Sequence, residues 1–127
     1  MIFNQKEPAR EFEVGFEKKS VIRDCGSVRL AADEQVTFQT DTGGEYDVAR
    51  KNWGFYATPS LNGRLSGFGL RAVLVRSRVD RFFVLLVERG REEDFNAYID
   101  SEGLEIVTWM DTTEALSAIA RGNVGGR

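Results

Sequence analysis

Between Glu11 and Glu17 apolar and polar positions alternate, with Phe12, Val14 and Phe16 on one side of an extended chain and acids around them. That pattern predicts a half-buried strand. Val28 to Ala32 repeats it in weaker form, Val36-Thr37-Phe38 follows, and Asp41-Thr42-Gly43-Gly44 marks a turn. Tyr46, Val48 and Arg50 share one face of a further strand, and Trp53 to Thr58 reads as another, ended by Pro59. Asn62-Gly63 between Leu61 and Leu65 is the pattern of a two-residue hairpin turn. Phe68 to Arg76 and Phe82 to Val87 are almost unbroken β-favouring runs, so they are expected to pair antiparallel at the centre of a covered sheet.

The period then lengthens. Phe95, Tyr98 and Ile99 stand at i, i+3 and i+4 in a short helix over Asp94–Glu102, closed by Gly103. Leu104 to Met110 is a strand, and Phe82 to Met110 then forms a strand–helix–strand crossover. Asp111-Thr112-Thr113-Glu114 resembles a capping box opening a helix that carries Ala115, Leu116, Ile119 and Ala120. Residues 1–10 show no period and are expected to be a mobile arm, as are 123–127. The expectation is one α+β domain spanning 1–127. It consists of a largely antiparallel, curved β-sheet of about six to eight strands, with two short C-terminal helices packed on one face. Two such helices are scant cover for that much sheet, so the remaining face calls for sheet curvature, N-terminal strands or a second subunit.

Composition narrows the function mainly by exclusion. The 127 residues contain no histidine and one cysteine, Cys25. Histidine-based nucleophile systems, histidine acid–base chemistry, an internal disulfide and a zinc site are thereby removed. No carboxylate spacing for calcium appears, so no metal, cofactor or catalytic residue is assigned. The Gly67-x-Gly69 pair precedes a strand rather than a helix and does not make a dinucleotide fingerprint. The longest apolar run has six residues, Phe82 to Val87, and the segment MIFNQKEPAREFE has no apolar signal core. A cytoplasmic, membrane-free protein is expected.

Charge supplies the one positive hint. From Val48 to Val79 there are six cations (Arg50, Lys51, Arg64, Arg71, Arg76, Arg78) and no Asp or Glu. The whole chain has 17 basic and 20 acidic residues, so 11 basic and 20 acidic residues lie outside this window. Trp53, Phe55, Tyr56 and Phe68 are interleaved with the cations, a mixture suited to a phosphate- or carboxylate-bearing partner. Strand alternation sends the six to different faces, which leaves a narrower candidate ligand-binding set: Arg64 and Arg71 with Tyr56, Trp53, Asn62, Ser60 and Arg50. Arg71, mid-strand beside Val73 and Val75, needs a carboxylate, carbonyls or a ligand, because an unpaired buried guanidinium is costly.

Three function classes follow. The first is a small non-catalytic binding domain presenting an Arg/aromatic groove to an anionic small molecule or partner. The second is a homo-oligomeric accessory or structural protein, a homodimer in its simplest form. The third is a histidine-independent enzyme in which a carboxylate or Tyr56 acts on an Arg-bound anion. Nucleic acid is disfavoured by the net charge of −3. The neighbours of Arg64 and Arg71 separate these readings: internal carboxylates argue against a groove, and an open concavity argues for one.

Overall fold

The computed structural model describes residues 1–122, so the expectation of a mobile 123–127 segment lies outside the described residues. The fold is mixed α+β with eight strands, all paired antiparallel, and three short helices. The strands are divided among three sheets rather than joined in one. β1 (Ile2–Val14) and β2 (Ser20–Arg29) form a long two-stranded ribbon. β3 (Gln35–Gln39), β4 (Glu45–Lys51) and β5 (Gly54–Ala57) make a meander in the order β3-β4-β5. After α1 (Arg64–Gly67), β6 (Leu70–Arg76), β7 (Phe82–Glu88) and β8 (Glu105–Trp109) form a sheet ordered β7-β6-β8. The helix α2 (Glu92–Glu102) joins β7 to β8, and α3 (Thr113–Arg121) follows.

The core lies on the two faces of this third sheet. On one face Val73, Val75 and Val87 pack with Phe95 and Ile99 of α2, joined by Leu104, Ile106 and Trp109. The rings of Phe95 and Trp109 meet edge to face, 5.7 Å apart. On the other face Leu70 and Ala72 pack against Leu65 of α1, with Tyr46, Leu61 and Met110 around them. β6 is central because its alternate residues are buried on both faces, as its nearly continuous apolar sequence requires. β7 and β8 run parallel to each other on opposite sides of β6, so the crossover spans an intervening strand.

Three local expectations are corrected. Residues 1–10 are not an arm without regular structure but the first part of β1, paired from Ile2–Arg29 to Gln5–Gly26 and, past an irregularity, from Arg10–Asp24 onward. The period was hidden there because the ribbon is exposed on both faces, so no alternation of burial is imposed on its sequence. Asn62-Gly63 is not a hairpin turn. It leads into α1, and the two-residue loop falls at Asn52-Trp53, where Gly54 takes a φ of 148°. Gly54 supplies a backbone conformation that L side chains rarely adopt, and Asn62-Gly63 is followed by a chain that folds back on itself instead of pairing. Finally, the cap of α3 is Thr112, whose hydroxyl accepts from the Ala115 N–H at 3.1 Å, and not Asp111, which is engaged elsewhere.

Candidate functional site

Arg71 is held by this molecule's own groups. Its Nε donates to Asp111 Oδ2 at 2.6 Å, its Nη1 donates to Glu92 Oε2 at 3.3 Å, and the guanidinium lies 3.9 Å from the centre of the Trp109 ring. β6 places Arg71 on the α2 face, the start of α2 supplies Glu92, and the end of β8 brings Trp109 and Asp111. Asp111 is only 7% exposed, and its Oδ1 has no hydrogen-bond partner among the described residues. The Arg71 hydrogen bond holds the Asp111 carboxyl below the usual carboxylate range, against an opposing effect of burial. Glu92 is lowered as well, first by backbone N–H donors and then by Arg71. Two carboxylates and an aromatic face together leave this guanidinium little capacity for an external anion.

The other candidates do not gather around Arg71. Arg64 lies near Asp47 at 3.8 Å, reaches the Thr58 carbonyl at 3.5 Å and covers the Phe68 ring. Ser60 accepts the backbone N–H of Arg64 at 2.9 Å, which fixes the entry to α1. Asn62 donates to the Thr113 hydroxyl at 3.0 Å, tying that loop to α3. Arg50 donates to the carbonyls of Leu30 and Lys51, both at 2.9 Å. Tyr56 pairs with Ala49 across the meander and is exposed, and Trp53 sits at the β4–β5 loop with 70% of its surface exposed. The structure therefore distributes the seven residues over at least three separate places.

Two of the remaining cations of the acid-free window are matched by acids from outside it, and the third by an aromatic ring. Lys51 meets Asp33 at 2.5 Å, and Arg76 is bound by Glu105 of β8. Arg78 stacks 3.9 Å from the Phe16 ring. Charge separated along the sequence is recombined by the fold, as cross-strand pairing commonly does.

Sequence reasoning passed over a different surface. Twenty large hydrophobic side chains are exposed among the described residues, against nine buried in the core. Nine of the exposed group fall between Met1 and Val28, in or beside the ribbon. Phe82, Phe83 and Val84 of β7 are 54%, 50% and 59% exposed, and Phe38 and Phe55 stand out from the meander. Concave ground adjoins β7: an open cleft of about 770 Å³ is lined by Leu85, Val87, Glu88, Phe95, Tyr98 and the Thr40–Thr42 turn. A second cleft of about 530 Å³ separates α2 from the turn of the ribbon. The available signal was the run from Phe82 to Val87 itself, which contains no charge and no proline to guard it.

No helix is long and apolar enough to cross a membrane among the described residues. Comparison with known proteins finds no matching family model, no matching curated protein and no matching solved structure.

Proposed function

We propose that this protein is a non-catalytic assembly module whose working form is an oligomer, with apolar sheet surface as its binding surface. One observation carries the reading. The chain exposes 9158 Å² at a mass of 14.3 kDa. A compact monomer of that mass is expected to expose roughly 6,800 Å², leaving an excess of roughly 2,300 Å². A standard interface takes about 800 Å² from each partner, so the excess is ample for a stable one. Its character also fits, because large Phe, Trp, Tyr, Val and Ile side chains are exposed among the charged ones.

The ribbon adds independent support. It is bonded to the remainder chiefly at its two ends: the Met1 amine meets Glu34 at 3.0 Å, and the Phe16 N–H donates to Glu102 at 3.1 Å. A two-stranded ribbon with both faces in water is marginal by itself, and coverage by another chain would relieve that. An anion groove draws less support, since Arg71, Arg76 and Lys51 are matched by carboxylates. The test is the molar mass in solution by light scattering over a range of concentrations. An oligomer is expected, and a monomer at every concentration would overturn the reading.

A further inference from the structure

The free edge of β7 offers a specific way to make such an oligomer. In the β6–β7 ladder the Arg89 N–H donates to the Gly69 carbonyl at 2.9 Å, and the Ser77 N–H donates to the Arg81 carbonyl at 2.8 Å. These bonds fix the alternation between the two ends. Residues 81, 83, 85, 87 and 89 turn their backbone groups toward β6. The N–H and C=O groups of Phe82, Val84 and Leu86 therefore point outward, where no described strand lies beside them.

The other sheet edges are protected. β8 carries Glu105 and a register irregularity between its pairs with Leu74 and Val75. β5 is four residues long and soon followed by Pro59, and β3 presents Gln35 and Gln39 at its ends. β1 carries Glu7-Pro8 and the register irregularity, and β2 carries Arg23, Asp24 and Gly26. Bulges, charges, proline and shortness are the usual guards of an edge, and β7 has none of them between Phe82 and Val87.

We propose that β7 pairs antiparallel with β7 of a second copy of this chain, about a two-fold axis through Val84, to make one continuous sheet across the dimer. This deepens the assembly reading and rests on it. The occupant is a second copy because the edge is complementary to itself. Centring on Val84 sets Val84 against Val84 and Phe82 against Leu86, and each such pair exchanges two hydrogen bonds. Centring on Leu85 instead would set Arg81 against Arg89 and Phe82 against Glu88, placing like charges together at both ends. The Val84 register faces Phe83 with Leu85 and Arg81 with Val87, and its own like-charge pair, Asp80 with Glu88, falls where Asp80 has already left the extended conformation at a φ of 59°. The exposed surface in excess of a compact monomer supplies the area.

The test uses the full chain and two readouts, molar mass and amide exchange at single residues. For the wild type, a dimer is expected in which the Phe82, Val84 and Leu86 amides exchange as slowly as those facing β6. Val84→Pro removes an outward N–H without touching the β6 ladder, so a folded monomer is expected. A wild-type monomer would overturn both this proposal and the assembly reading. A wild-type oligomer whose Phe82, Val84 and Leu86 amides exchange freely would overturn the β7 pairing and leave the assembly reading standing. A folded, dimeric Val84→Pro variant would do the same. If that variant fails to fold, amide exchange in the wild type decides.

Discussion

Arg71 and Asp111 join the middle of the sheet to the entrance of the last helix: one strand of the core sheet provides the guanidinium, and the second residue after β8 provides a carboxylate 2.6 Å away. The pair is mostly withdrawn from water, the Asp111 side chain being 7% and the Arg71 side chain 25% exposed. Removing one partner leaves the other without compensation, which is where such pairs have their largest effect. Arg71→Ala is expected to lower unfolding stability by about 2–4 kcal/mol. Arg71→Lys, which keeps the charge but loses the planar stack on Trp109, should cost about 1–2 kcal/mol. Urea unfolding checks both. An Arg71→Ala variant as stable as the wild type would show that the network contributes nothing.

The same pair predicts how stability depends on pH. The folded Asp111 carboxyl is lowered, chiefly by Arg71, relative to an unfolded value of about 3.9. Its contribution is therefore complete above that value and is lost as the pH falls through the lower folded value. Arg71 stays charged throughout, its own value being raised by the Asp111 hydrogen bond. Asp111→Asn should be less stable than the wild type at neutral pH, and the difference should shrink below a pH of about 4. Urea midpoints measured from pH 7 down to the acid limit follow it. A difference that stays constant over that range would dissociate the acid response from Asp111.

Much of the third sheet was legible because its chemistry is local. The runs through Leu70 and Leu85 have the composition of buried strands, and Gly103, at a φ of 65°, ends α2 where a left-handed residue is needed. The partner of Arg71 was less legible. Its need for an acid follows from burial, but Asp111 is 40 residues away and looked like a helix cap. The first ten residues of the ribbon were harder still, since water on both faces removes the alternation from which a strand is recognised. The candidate groove failed to assemble for a related reason. An acid-free window describes neighbours along the chain, whereas Asp111, Glu92, Glu105 and Asp33 reach its cations through the fold.

The start of α3 separates two roles that one acidic-looking motif had merged. The Thr112 hydroxyl satisfies the Ala115 N–H, while Asp111 is occupied by Arg71. Thr112→Ala should cost about 1 kcal/mol and fray α3 locally. Thr112→Ser should restore the cap. Amide exchange at Ala115 reports directly on it, and unchanged protection in Thr112→Ala would rule out the cap.

The last prediction concerns Gly26, which holds the ribbon together through the absence of a side chain. It sits opposite Gln5 with a φ of 151°, immediately before the register irregularity between Gln5 and Arg10. A Cβ there would fall 2.3 Å from the Asn4 carbonyl oxygen, a backbone atom of the paired strand that cannot swing aside as a flexible side chain could. Gly26→Ala therefore strains the backbone and forces β1 and β2 apart where their pairing is already interrupted, at an expected cost of about 1–3 kcal/mol. Gly43→Ala is the useful comparison, because its added Cβ meets nothing within 4 Å although its φ of 103° carries a similar backbone strain. Amide exchange across Ile2–Gln5 and Ser27–Arg29 should accelerate in Gly26→Ala alone. Equal acceleration in both variants would mean that backbone strain, and not the close approach to Asn4, is what the glycine relieves.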